Sequence, residues 1–151
     1  MMKRILFIAI MIFSVALTIS AQQAVNGDYA GKFTRIYMNG EKSVPTESII
    51  TVVSQTKSLI TLKIAPFKIG KMPGTVEVTA ENIVLNSDGT FNQVVANGIK
   101  MEIKGFMKAE YNAMVTGTLI NNVLTYTITS RDASFMGKPF SAIVGFKGMK
   151  E

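Results

Sequence analysis

The chain of 151 residues carries a formal net charge of +6 at pH 7 and contains no cysteine and no histidine. These absences exclude disulfide bonds, thiol nucleophiles, histidine-dependent triads and the nitrogen and sulfur ligands that zinc prefers. A domain of this composition therefore has to be held together by its hydrophobic core.

The N-terminal segment has the pattern of a secretion signal. Lys3 and Arg4 form a short basic region, and the run that follows as far as Leu17 is apolar apart from one serine. This run is shorter than the ~20 apolar residues of a transmembrane helix, and small residues up to Ala21 are typical of a cleavage site. We therefore predict a signal peptide at 1–21, a single mature domain at 22–151 and no membrane span after cleavage. Because the sequence has no cysteine to carry a lipid anchor, we expect that the protein is not a lipoprotein.

The mature domain is only mildly basic, because removing Lys3 and Arg4 lowers the formal charge from +6 to +4. The loose group Lys100, Lys104 and Lys108 is spaced four residues apart, and we assign the alternate positions of this stretch to a solvated strand face. No basic block is interleaved with stacking aromatic residues, so we expect no nucleic-acid binding.

Alternation of apolar and polar residues with period two, which is typical of half-buried strands, recurs along the whole mature domain. Turn sequences with glycine or asparagine separate the alternating stretches, among them Asn39-Gly40, Asp88-Gly89, Asn97-Gly98 and Asn121-Asn122. In chain order the predicted strands are YAGKFTRIYM, SIITVVS, LITLKIAPF, TVEVTA, NIVL, TFNQVVA, IKMEIK, AMVTGTLI, LTYTITS and PFSAIVGF.

No mature segment sustains a capped helical period, so the sequence predicts an all-β fold. Eight to ten short strands have to close into a barrel or stack as a sandwich to protect their edges. Threonine, lysine and glutamate at the outward positions favour a barrel whose apolar side chains point inward over an outer-membrane barrel.

The first strand contains Tyr29 between Gly27 and Gly31. Glycine allows a strand to bend and another backbone to approach closely. The aromatic ring either plugs one end of a barrel or is ordinary core.

This start, with ITVVSQTKSLITLKIAPFKIG, GTVEVTAENIVLNSDGTF and VTGTLINNVLTYTI, resembles the calycin-like β-barrel family of secreted bacterial proteins, found chiefly in Gram-negative anaerobes. The resemblance covers most of residues 25–147 and implies a lipocalin-type, up-and-down antiparallel barrel of about eight strands in a periplasmic or secreted protein. Lipocalins carry a Gly-x-Trp on the first strand and a basic residue packed across it. Tyr29 stands in the place of the tryptophan, and Lys147 is the nearest candidate for the basic residue.

Motifs for catalysis or for a cofactor are absent from the sequence. The run NSDGT at 86–90 has one acid and predicts a hairpin turn rather than a calcium loop. Asp28, Glu102 and Glu110 are available for a glycosidase-like pair, but their spacing selects none. We expect no enzyme activity, no metal and no cofactor.

The function predicted instead is binding of a small apolar, lipid-like ligand, with Arg35 as a polar anchor beside the tyrosines. The loops at 65–74 and 133–141 share a Phe, Gly, Lys, Pro composition and are predicted to form a lid that carries Phe67, Met72, Phe135 and Met136. Alternation predicts ten residues lining the interior: Tyr29, Phe33, Leu62, Ile64, Val78, Met101, Ile103, Val115, Tyr126 and Phe140.

The alternative is a protein-binding or inhibitor-type module with a solid interior. A ligand carrier requires an internal void of a few hundred cubic ångströms. A binding module requires a packed interior and an exposed apolar patch.

Overall fold

A computed structural model describes residues 25–71, 74–103, 107–135 and 137–151 of the chain. The predicted signal peptide, Met72 and Met136 lie outside these residues. The described chain contains no helix that is long and apolar enough to cross a membrane. Its strands are β1 (Gly27–Met38), β2 (Glu41–Lys42), β3 (Ile49–Thr56), β4 (Leu59–Phe67), β5 (Gly74–Val84), β6 (Thr90–Ile103), β7 (Met107–Ile120), β8 (Val123–Arg131), β9 (Ser134–Phe135), β10 (Lys138–Pro139) and β11 (Ala142–Lys150).

The eight long strands form a closed, antiparallel, up-and-down β-barrel, which confirms the predicted fold. Each long strand pairs with the next along the chain, and the last one, β11, pairs with both β8 and β1. This closure leaves no long edge strand, which is how a small all-β domain avoids edge-to-edge association. The short strand β2 folds back and pairs antiparallel with the end of β1, and β9 and β10 form a separate small hairpin.

The two ends of the barrel differ. At one end, called the turn end here, tight turns join β3 to β4 and β7 to β8. Asn121 and Asn122 both have positive φ, 53° and 64°, as the type I′ hairpin turn requires. At the opposite end, called the loop end, β1 and β4 finish and β11 begins after a longer connection from β8.

Two predicted strand boundaries are wrong. Asn97-Gly98 does not separate strands, because β6 continues through it with a bulge where the register shifts between Val95 and Ile99. Asn97 takes a φ of 54° there. In the same way TVEVTA and NIVL form the single strand β5. A bulge adds a residue and bends a strand without ending it. The four predicted strands TVEVTA, NIVL, TFNQVVA and IKMEIK therefore correspond to two long strands, β5 and β6.

Gly31 is needed where β1 closes the barrel against β11. A Cβ at this position would lie 2.0 Å from the carbonyl oxygen of Lys147 and 2.4 Å from the Cα of Gly148. The two backbones thus approach more closely than any side chain permits, as predicted for a glycine on this strand.

Candidate functional site

The turn half of the barrel is filled by side chains that satisfy their own polar groups. Tyr29 is fully buried, and its hydroxyl donates a hydrogen bond to the carbonyl oxygen of Val25 at 2.9 Å. The hydroxyls of Thr51 on β3 and Tyr126 on β8 share a buried hydrogen bond of 2.8 Å. This bond links two walls that do not pair in the sheet. Burial raises the pKa of Tyr126 above its usual range, and the hydrogen bond to Thr51 opposes the shift to a smaller extent.

A chain of aromatic rings occupies the middle of the barrel. Tyr126 stacks on Phe146 with ring centroids 5.0 Å apart, and Phe146 lies edge-on to Phe33 at 6.5 Å. Phe33 in turn contacts Phe67 at 4.6 Å. All four rings are buried, and together they form a continuous line of contacts from β8 through β11 and β1 to β4.

A small apolar cavity remains near the loop end. Its volume is about 10 Å³, which is close to the lower limit for holding one water molecule. Ile69, from the connection after β4, and Phe140, from the connection before β11, both line it. Its other lining residues come from six strands: Met38, Val76, Val78, Ile99, Met101, Tyr111, Ile128, Ala142 and Val144.

Tyr111 is the unusual member of this lining. Its side chain is 8% exposed, yet its hydroxyl is buried and has no hydrogen-bond partner in the described structure. Phe140 lies edge-on against its ring, with centroids 4.7 Å apart. Burial raises the pKa of Tyr111. An unsatisfied buried hydroxyl costs free energy. Among the buried side chains that the structure describes, Tyr111 is the one with a polar atom available to a ligand.

Eight of the ten predicted lining residues are buried in the interior, and their role in lining a ligand site stays a prediction. Phe140 is half-buried, and the side chain of Ile103 is outside the described part of the structure. Among the ten, Val78, Met101 and Phe140 line the cavity. The eight buried residues are Tyr29, Phe33, Leu62, Ile64, Val78, Met101, Val115 and Tyr126.

Sequence reasoning missed Tyr111 because the predicted strand began at Ala113. Val115, Ala113 and Tyr111 alternate on the inner face of β7. Extending the same period two residues toward the N-terminus would have identified the tyrosine.

The predicted polar anchor Arg35 lies on the outside of the barrel. Counting by twos from Phe33 places it inside, but the register shifts between these two residues where β1 pairs with β11. The bulge directs Arg35 outward and Ile36 into the core. Arg35 donates a hydrogen bond from Nε to the Glu41 carboxylate at 2.8 Å and lies over the ring of Tyr37. It is therefore an exposed ion-pair residue and no ligand anchor.

The two predicted lid loops do lie at the same end of the barrel, since Ile69 and Phe140 meet at one cavity. Phe67, however, is the last residue of β4 and packs inside on Phe33. The predicted lid role of Phe67 is therefore wrong. The side chain of Phe135 and the residues Met72 and Met136 lie outside the part of the chain that the structure describes.

Lys147 does not pack across Tyr29. It is exposed and stands opposite Lys32 on the outer face, and Lys150 is the residue in register with Tyr29. The lysine implied by the lipocalin comparison is thus on the wrong face of β11.

The three carboxylates considered for catalysis do not meet at one site, although Glu102 and Glu110 both line a groove of about 310 Å³ on the outer face, together with Glu77, Lys100 and Lys108. Asp28 is at the turn end, whereas Glu102 and Glu110 are near the loop end on the outer face. Glu102 forms an ion pair with Lys108 at 3.9 Å, and Glu110 stands opposite Lys100. Within the described ranges, no three acidic side chains are grouped so that they could hold a metal ion.

The outer surface carries an apolar row near the turn end. The register places five outward side chains side by side across five neighbouring strands, and Met149 at the centre is the most exposed of them, at 64%. Scattered exposed apolar residues are normal, whereas a contiguous set marks a contact surface. The apolar row consists of Ile50 on β3, Ala30 on β1, Met149 on β11, Val123 on β8 and Ile120 on β7.

Comparison with known proteins gives no match to a family model, to a curated protein sequence or to a solved structure. The resemblance to the calycin-like family therefore stays a prediction from the sequence.

Proposed function

We propose that this protein is a non-catalytic binding module, secreted or periplasmic, that recognises a protein surface with the outside of its barrel. The observation that carries this proposal is the filled interior. An eight-stranded barrel either is filled by its own side chains or holds one small ligand, and sites for such ligands have volumes of roughly 300–1,000 Å³. The cavity of about 10 Å³ is far below that range.

The apolar row supports the same proposal from the outside. Three of its members, Ile50, Met149 and Ile120, are at least 41% exposed. Burying them against a partner would remove from water a surface that the folded monomer leaves uncovered, which is the dominant favourable contribution in most protein association.

A second candidate function is binding of a small, mainly apolar molecule at the loop end. The free hydroxyl of Tyr111 favours it, because such a ligand needs one hydrogen-bonding anchor in an otherwise apolar site. Phe140 is half-buried and would have to move away from Tyr111 to make room. A lipid-like ligand would require a larger rearrangement of the aromatic chain.

Native mass spectrometry of the processed protein, combined with titration of N-phenyl-1-naphthylamine, tests the choice. We expect no persistent adduct and no saturable one-to-one binding of the probe. The variant Phe140→Ala, which enlarges the cavity beside Tyr111, is the matched control that shows whether the assay detects an opened site. Stoichiometric binding by the wild-type protein would overturn the solid-barrel proposal in favour of the second candidate.

A further inference from the structure

The outer faces of β1 and β11 share one charge pattern at the turn end. On each strand an acid, an apolar residue and a lysine follow one another at two-residue spacing, so all three point outward. On β1 the apolar residue is Ala30, and on β11 it is Met149. The two complete sets are Asp28, Ala30 and Lys32 on β1, and Glu151, Met149 and Lys147 at the end of β11.

The two sets are aligned across the strand pair. Ala30 is in register with Met149, and Lys32 with Lys147. The backbone N–H of Glu151 donates a hydrogen bond to the carbonyl oxygen of Asp28 at 3.0 Å. The apolar row therefore runs between a pair of acids on the turn-end side and a pair of lysines on the other side.

All four charged residues are exposed. Arg35 pairs with Glu41 and Glu102 with Lys108, and none of the four charged residues of the two sets forms an ion pair with another residue that the structure describes. Opposite charges arranged on the two sides of an apolar strip are therefore available to a partner.

We propose that the partner of this surface is a second copy of the chain, bound through a two-fold axis that runs along the apolar row. This inference rests on the proposed function, because it names the partner of the same surface. Rotation by 180° about that axis inverts the other barrel, so Asp28 of one copy faces Lys32 of the other. Glu151 and Lys147 are exchanged in the same way. A closed two-fold interface requires such self-complementarity, and this pattern provides it.

Other arrangements of two copies are less favourable. With the axis parallel to the strands, the lysines of one copy would face the lysines of the other, and like charges brought together at an interface oppose association. The row also curves with the barrel, so a partner touches mainly its centre on β1, β11 and β8. We expect a contact confined to these strands to be small, and the dimer therefore to be weak and dependent on concentration.

Sedimentation equilibrium of the processed protein at low salt, from micromolar to near-millimolar concentration, tests the proposal. We expect a reversible monomer–dimer equilibrium that shifts toward monomer as salt is added. The double variant Lys32→Glu, Lys147→Glu makes the surface uniformly acidic, and Asp28→Lys, Glu151→Lys makes it uniformly basic. Each alone should dimerise at least about tenfold more weakly than the wild type, because four favourable charge contacts become repulsive.

Two matched controls use the same positions. Mixing the acidic and the basic variants should restore association as a heterodimer. Combining all four substitutions in one chain inverts the pattern but keeps it self-complementary, so dimerisation should return. Exposed charge changes have small effects on folding, and thermal melts of the variants check this.

A wild-type protein that stays monomeric over the whole range overturns the second copy as partner, and so does an acidic variant that dimerises as the wild type does. These outcomes are distinct from failure of the proposed function, which shows as one-to-one probe binding whatever the oligomeric state.

Discussion

Two buried tyrosine hydroxyls differ in whether they have a partner. The hydroxyl of Tyr126 is paired with Thr51, whereas the hydroxyl of Tyr111 is buried without a hydrogen bond. Removing a satisfied group leaves its partner unpaired, and removing an unsatisfied group relieves a cost. The same chemical change, loss of one oxygen, should therefore have opposite effects at the two positions.

We expect Tyr126→Phe to lower the free energy of unfolding by about 1–3 kcal/mol, because Thr51 is left buried and unpaired. Tyr111→Phe should leave this free energy unchanged or raise it by up to about 1 kcal/mol. Urea unfolding at pH 7 measures both. The double variant Tyr126→Phe, Thr51→Val should recover part of the loss, since both polar groups are then removed. A Tyr111→Phe variant as unstable as Tyr126→Phe would show that the hydroxyl has a partner, and would remove the main support for a loop-end ligand.

At the scale of the strand, the contact between β1 and β11 depends on Gly31. A methyl group at this position would clash with backbone atoms of Lys147 and Gly148. Backbone atoms cannot move away by a rotamer change, as the flexible end of a side chain can. We expect Gly31→Ala to lower the free energy of unfolding by at least about 2 kcal/mol, as overpacking of a core does.

Gly98 provides the matched control for Gly31→Ala. A Cβ at Gly98 would lie 3.3 Å from Cγ1 of Val95, a side-chain atom. Gly98→Ala should therefore change the urea midpoint little, by less than about 1 kcal/mol in free energy, helped by the lower entropy of the unfolded chain. Equal effects of the two substitutions would contradict the close approach of β1 and β11.

Strand by strand, period-two alternation predicted which residues face inward, because a half-buried strand admits no other pattern. It failed at the bulges. Counting by twos from Phe33 placed Arg35 on the inner face. The register shift of one residue after Phe33 reverses which face each later residue of β1 occupies. The shift coincides with two consecutive polar residues, Thr34 and Arg35, which interrupt the alternation between the buried Phe33 and Ile36. Asparagine with positive φ suits a bulge as well as a turn. Asn97-Gly98 was therefore predicted to be a hairpin turn, whereas it lies in a bulge of β6.

For the whole molecule, the sequence predicted a closed barrel but not whether its interior is filled. The inward positions were known, yet their packing depends on ring orientations such as the 18° stack of Tyr126 on Phe146. The apolar row depends on the register of five strands, which becomes visible when the strands are aligned. The acid and lysine positions on β1 and β11 are readable separately in the sequence, whereas their alignment comes from barrel closure.

The buried tyrosines also make the stability of the barrel depend on pH in the alkaline range. Burial raises the pKa values of Tyr126, Tyr29 and Tyr111. The folded protein thus retains these protons above pH ~10, where unfolded tyrosines release them. For Tyr126, whose hydroxyl is the most deeply buried of the three, the stability contributed by the protonated form is complete below pH ~10 and is lost as the pH rises toward the folded-state pKa, by about 1.4 kcal/mol per pH unit.

We therefore expect the free energy of unfolding, measured in urea, to fall between pH 10 and pH 12. Tyr126→Phe should reduce the slope by the equivalent of one proton. Between pH 7 and pH 9 the variant and the wild type should show parallel curves, because no buried tyrosine titrates there in either state. An unchanged slope above pH 10 would mean that Tyr126 ionises inside the folded barrel, and hence that water reaches the bond between Tyr126 and Thr51. The solid interior on which the proposed function depends would then be open on that side.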